Sequence, residues 1–112
     1  MIKLNEEQTK EIVGQFQQYQ QQLQAILIQK ETMQMQLMEI TKALEELETT
    51  KNDKAYKITG QIMVIKPVEE LKKELGETKE VIEVRIGSLE KTEEKVTGRL
   101  KELETELRKL VK

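Results

Sequence analysis

Two stretches of this 112-residue chain carry an apolar side chain at nearly every third or fourth position, over eleven positions each. Sustained spacing of this kind predicts two long helices that pack along a coiled-coil seam. The first series is Ile12, Phe16, Tyr19, Leu23, Ile26, Lys30, Met33, Leu37, Ile40, Leu44 and Leu47, and the second is Leu75, Lys79, Ile82, Ile86, Leu89, Glu93, Val96, Leu100, Leu103, Leu107 and Leu110.

Charge within the two series predicts how the helices pair. If the second helix returns antiparallel to the first, Lys30, the one charged residue of the first series, lies opposite Glu93. The same register places Ile12 opposite Leu110. We therefore predict a mainly α-helical fold, an antiparallel two-helix coiled coil formed within one chain.

Composition excludes most catalytic chemistry. The chain has no cysteine and no histidine, so thiol chemistry, zinc sites with Cys or His ligands, and imidazole catalysis are excluded. With 36% charged residues and a core limited to one seam, the chain offers no evident cleft in which carboxylates or lysines would act. We expect a protein that is not an enzyme and needs no cofactor or metal.

Charge and hydropathy argue against two kinds of partner, nucleic acid and membrane. The formal charge of −2, with acidic and basic residues interleaved, gives no basic stripe for nucleic acid. The longest apolar runs, Ala25–Ile28 and Ile62–Ile65, are far shorter than the roughly 20 residues of a membrane span. The first residues show no basic segment followed by an apolar one, so we expect a cytoplasmic protein.

The segment between the helices changes to strand-like spacing. We predict a single domain over residues 1–112, with a helix at about 6–48, a β-hairpin at about 55–66 and a helix at about 67–110. A lone hairpin is marginal in water and leaves two strand edges exposed, so hairpins of several chains are expected to join into a larger sheet or barrel. The alternative is a hairpin folded onto its own coiled coil. The expected assembly residues are Tyr56, Ile58, Gly60, Ile62, Met63, Val64 and Ile65.

The same residues carry a resemblance to a known family. The stretch QFQQYQQQLQAI at 15–26, ALEEL at 43–47, Tyr56-Lys57, Gly60 and the apolar run 62–65 are similar to the prefoldin beta subunit. The insert has room for one hairpin, whereas alpha-class prefoldin chains carry two.

The resemblance implies a function and partners. Prefoldins are hexamers of two alpha and four beta subunits whose hairpins form a β-barrel platform. An ATP-independent holding chaperone is implied, which captures unfolded polypeptides at the coiled-coil tips and delivers them to a group II chaperonin. The composition also suits an archaeal source. The competing hypothesis is a structural coiled-coil spacer or filament protomer that assembles through its hairpin.

Client-binding residues are expected where the chain begins and ends, away from the hairpin, because the last seam layers fray most easily. Ile2 and Leu4 lie beyond the last seam pair, which favours a chaperone over a spacer. For Phe16 and Leu107 the alternative is a role as ordinary seam core. The candidates are Ile2, Leu4, Ile12, Val13, Phe16, Leu107, Leu110 and Val111.

A second group of apolar residues lies off the seam and nearer the hairpin. Methionine is adaptable and common on surfaces that bind many partners, so the group is either an inner client-binding wall or a contact with a neighbouring subunit. The group is Leu27, Ile28, Met35, Met38, Val81 and Val84. Seven glutamines within 15–24 fall outside the seam and are interpreted as a solvated, uncharged face.

Overall fold

The computed structural model describes residues 6–110, which form two helices with one β-hairpin between them. The elements are α1 (Glu6–Thr49), β1 (Lys54–Thr59), β2 (Ile62–Pro67) and α2 (Val68–Leu110). Every predicted element is present, with ends that agree or differ by one residue. The clearest difference is at Pro67, which closes β2 instead of opening α2, a position where its missing N–H is tolerated.

The chain divides into two compact units. The first combines the residues up to Glu31 with those from Gly87 onward, and the second contains residues 32–86 with the hairpin. Each unit therefore contains a stretch of both helices, and each is described below by itself.

In the first unit, the helices pair in the predicted antiparallel register. Lys30 Nζ donates a hydrogen bond to Glu93 Oε2 at 3.1 Å, and Glu90 lies 4.0 Å from the same nitrogen. Ile26 and Val96 are buried in the seam and Leu103 is fully buried. Burial of such a side chain contributes about 1.5–3 kcal/mol, so these layers hold the helices together.

In the second unit, the seam extends further than the sequence analysis predicted. Ile82 and Ile86 are buried as expected, but so are Val68 and Leu71, which continue the 3-4 spacing from Leu75 back to the start of α2. The N–H of Val68 donates to the carbonyl of Asp53 at 2.8 Å. This bond fixes the start of α2 beside the start of β1.

The hairpin closes with a two-residue turn. Thr59 pairs with Ile62, which leaves Gly60 and Gln61 as the loop. Gly60 has φ of +61°, and among the described residues no side-chain-bearing residue has a positive φ. A glycine at the first central position is typical of a type II′ turn, whose twist matches that of the strands.

Gly60 and Gly87 should respond in opposite directions to the same substitution. A Cβ meets no atom within 4 Å at either position, so backbone conformation alone decides the effect. Gly60→Ala forces a left-handed φ and should cost about 1 kcal/mol, whereas Gly87→Ala in the α2 interior should stabilise by up to about 1 kcal/mol. Thermal unfolding measured by circular dichroism should show the two opposite shifts. A rise in melting temperature for Gly60→Ala would contradict the turn geometry.

Charge reversal tests the register of the first unit. Lys30 and Glu93 are 21% and 25% exposed, so each single reversal leaves two like charges in a partly dry site. Lys30→Glu should lower the melting temperature more than Glu93→Lys, because Glu90 also lies beside Lys30. The double reversal should recover most of the loss, with a coupling of about 1 kcal/mol. Additive single effects would contradict the pairing.

Candidate assembly and client-binding surfaces

The hairpin exposes a mainly apolar patch on one face, which also carries Lys54 opposite Pro67. Tyr56 pairs with Ile65 and Ile58 pairs with Met63, and residues directly opposite each other point to the same side of a sheet. These four side chains, which we call the open face, are 58% to 72% exposed. Such an apolar patch on a two-stranded sheet is the kind of surface that a partner covers.

The opposite face of the hairpin is tethered to α2 by charge. Lys66 Nζ donates to Glu74 Oε1 at 2.7 Å, and Lys57 Nζ donates to Glu74 Oε2 at 3.3 Å. The hydrogen bond from Lys66 lowers the pKa of Glu74, and Lys57 adds to the effect. The hydrogen bond to Glu74 raises the pKa of Lys66 in return. One carboxylate therefore ties both strands to the helix.

A groove of about 400 Å³ lies between β1 and the two helices of the second unit. Its apolar lining comes from all three elements: Ala43, Leu47, Ala55, Tyr56, Ile58, Leu71 and Leu75. The alternative of a hairpin folded onto its own coiled coil would bury the apolar strand residues. Tyr56 and Ile58 line this groove, yet the four residues of the open face remain 58% to 72% exposed, so the hairpin is not buried against its own helices.

The expected client-binding residues fall into three groups. Ile12, Phe16, Leu107 and Leu110 are half-buried, as seam residues are, and Val13 lies off the seam with 37% exposure. Ile2, Leu4 and Val111 lie outside the described residues. Partial burial of the four seam residues agrees with the seam-core interpretation of Phe16 and Leu107, while Val13 retains apolar surface.

The six off-seam residues are all exposed. Leu27 and Ile28 belong to the first unit; Met35, Met38, Val81 and Val84 belong to the second. Val81 lines a shallow groove with Lys57 and Glu74, so it lies close to the hairpin tether. This position supports the hypothesis of a subunit contact for Val81, and the choice between client and subunit stays a prediction for the group.

Sequence reasoning missed the Glu74 tether. Lys66 and Glu70 stand four residues apart, which is a recognisable signal, and their charged atoms are 4.0 Å apart. Glu74 contacts two lysines on different strands, and only the hairpin register brings these together. The buried Val68 and Leu71 carried a usable signal, since the 3-4 spacing of the second series continues through both.

Two further observations concern other kinds of site. Among residues 6–110, no group of three or more acidic side chains is placed to hold a metal ion. Neither α1 nor α2 is apolar enough along its described length to cross a membrane.

Together these features define a class of protein, a helical hairpin with a seam completed within one chain and an exposed β-hairpin between its helices. Comparison with known proteins identifies the family. A family model described as prefoldin subunit matches residues 10–112. The chain belongs to the prefoldin subunit family.

Related proteins and a solved structure support the same family assignment. The prefoldin subunit beta of Thermococcus kodakarensis is 39% identical over 101 residues, covering 89% of this chain and 86% of the relative. The Pyrococcus horikoshii protein of that name is 41% identical over 97 residues, covering 86% and 83%. The crystal structure of the prefoldin beta subunit from Thermococcus strain KS-1 superimposes with a TM-score of 0.83, at 36% identity and 96% coverage of both chains. The resemblance drawn from the sequence is confirmed, and a prefoldin subunit is a chaperone protein, not an enzyme.

Substitutions on the open face should disrupt assembly without unfolding the helices. Ile58→Thr with Ile65→Thr keeps two β-branched side chains but removes apolar surface. We expect a lower oligomer mass by analytical ultracentrifugation and unchanged helix content, because the seam is formed within the chain. Val81→Thr with Val84→Thr on α2 tests the competing hypothesis of a subunit contact through the off-seam group. Loss of assembly in this second variant alone would assign the subunit contact to the off-seam group.

The tether predicts a pH dependence. The folded pKa of Glu74 lies below the unfolded value of about 4.3, so its stabilising effect is present above pH 5 and is lost as pH falls through the folded pKa. The melting temperature of the parent should exceed that of Glu74→Gln at pH 7, and the difference should vanish toward pH 3. Circular dichroism melts across this range supply the test, and a difference independent of pH would contradict it.

Proposed function

We propose that this chain is a subunit of an ATP-independent holding chaperone of the cytoplasm. Its assembly contains an alpha-class prefoldin chain and further copies of this chain in a hetero-hexamer. It captures unfolded polypeptides through apolar residues where α1 begins and α2 ends, and passes them to a group II chaperonin. Family membership supports the chaperone role and assembly with other prefoldin subunits.

One observation carries the assembly part of the proposal. The seam residues of both helices are shielded within the chain, while the four apolar residues of the open face are not. A chain that buries the apolar seam of its helices by itself but leaves apolar strand residues exposed needs partner chains at the hairpin. Assembly through hairpins leaves the helices themselves free to contact other proteins.

Client capture is supported by the start of α1 and the end of α2. The register set by Lys30 and Glu93, continued along the first unit, brings Ile12 opposite Leu110. These layers are half-buried and Val13 adds exposed apolar surface beside them. Several weak apolar contacts, each of about 25 cal/mol per Å² buried, are sufficient to hold a non-native chain when many subunits act together.

Replacement of the terminal apolar residues tests client capture. Ile2, Leu4, Val13 and Val111 are changed together to Ser, outside the seam, so helix content and oligomer mass should stay unchanged. Protection of a chemically denatured protein against aggregation, followed by light scattering on dilution at matched chaperone concentration, should fall. The same count of serine substitutions at Met35, Met38, Val81 and Val84, all exposed residues of the off-seam group, is the control. Undiminished protection in the terminal variant, with loss in the control, would move capture to the off-seam group.

A further inference from the structure

One segment of α1 lacks the charge that characterises the rest of the chain. No residue from Ile12 to Gln29 is charged, although 36% of the chain is. The part of α2 that faces this segment, from Glu93 to Leu110, carries ten charged residues. Positions beside a coiled-coil seam commonly carry charges that set the pairing between helices. Helix pairing therefore does not explain why α1 is neutral here.

Two arginines of α2 in the first unit bond to glutamates of α2 itself. Arg99 Nη1 donates to Glu102 Oε2 at 2.8 Å, and Arg108 Nη2 donates to Glu104 Oε1 at 2.6 Å. The bond to Glu102 raises the pKa of Arg99, and Tyr19 of α1 contributes less. Because Arg99 and Arg108 have glutamate partners on α2, neither requires the neutral face of α1 as its partner.

Five neutral residues of α1 form one exposed stripe beside the seam. Their spacing of four, three, four and three keeps them on one face of the helix. All five are exposed, and the residues at the two ends are apolar, 37% and 44% exposed. Within the described residues, the three carboxamides make no hydrogen bond. This glutamine stripe consists of Val13, Gln17, Gln20, Gln24 and Leu27.

We propose that the glutamine stripe binds the main chain of an extended, non-native polypeptide. This inference rests on the proposed function and names the chemistry by which a client is held. A glutamine carboxamide offers two N–H donors and a carbonyl acceptor, which match the hydrogen-bonding groups of a peptide unit. Val13 and Leu27 add apolar contact at each end of the row. Binding through the main chain does not depend on the client's sequence.

The chemistry of the glutamine stripe favours a non-native polypeptide over a nucleic acid or a folded protein. More than about 90% of buried peptide groups in folded proteins are already paired, so a row of free peptide groups is characteristic of a non-native chain. A nucleic acid requires cations, which the stripe lacks. A folded partner recognised by charge requires complementary charge, which it also lacks. Neutrality further means that acidic and basic clients are not repelled.

The test compares two triple variants of the full-length chain in its assembled form. The stripe variant is Gln17→Ala, Gln20→Ala and Gln24→Ala. The control is Gln18→Ala, Gln22→Ala and Gln29→Ala. These three glutamines of α1 are also exposed, but they lie on the opposite side of the seam from the glutamine stripe. Alanine favours helix at least as well as glutamine, so both variants should keep the parent helix content.

The probe is a short, uncharged, unstructured peptide with a fluorophore, measured by fluorescence anisotropy beside an analogue with methylated backbone nitrogens. For the parent and the control, methylation should weaken binding at least about threefold, since it removes main-chain donors. The stripe variant should bind the unmethylated peptide at least about threefold more weakly and show no difference between the two peptides.

The outcomes separate this inference from the proposed function. If the parent prevents aggregation and the stripe variant keeps the parent's sensitivity to methylation, the inference is wrong and the holding function stands. A fall in oligomer mass in the stripe variant alone would make the stripe a subunit contact and would also overturn the inference. If the parent itself protects no denatured protein, the proposed function fails, whatever the peptide shows.

Discussion

Completion of the coiled-coil seam within one chain is the interaction on which the rest of the structure depends. Lys30 and Glu93 pair at 3.1 Å and Leu103 is fully buried, so the apolar residues of the first unit have partners that the chain itself supplies. In the second unit, Val68 and Leu71 extend the seam to the first turn of α2, where Val68 bonds to Asp53. The chain returns there through a short hairpin, on which the four apolar residues of the open face remain exposed.

The distribution of charged side chains differs between the paired parts of the molecule and its exposed surfaces. At the hairpin, Glu74 binds Lys57 and Lys66, while the four residues of the open face remain 58% to 72% exposed. In the first unit, α2 pairs arginines with its own glutamates while the neighbouring segment of α1 is neutral. Neutral helix surface is unusual in a chain of this composition, and it is consistent with contact to polypeptides of any charge.

Much of the fold was predictable because the chain is built from long periodic segments. Apolar residues at 3-4 spacing over eleven positions predict a long helix even where single positions depart from the pattern. The match of Lys30 with Glu93 was sufficient to predict the register of the two helices. The start of α2 was placed one residue early, at Pro67, because proline is compatible with both a strand end and a first helical turn. Glu74 was missed, since its two lysines are 17 and 8 residues away and meet only through strand pairing. The terminal candidates Ile2, Leu4 and Val111 lie outside the described residues and remain predictions, as do the roles of the off-seam group.

The central claim is that the seam is formed within one chain while the hairpin joins different chains. The sequence contains no cysteine, so introduced cysteines report contacts without background. The direct measurement is the intact mass of oxidised products from two variants, Leu23→Cys with Leu100→Cys in the seam and Ile58→Cys on the open face. The account predicts a disulfide within a single chain for the seam pair and a disulfide between two chains for Ile58→Cys in the assembled protein. Seam cysteines that link two chains, with Ile58→Cys remaining a free thiol, would contradict it.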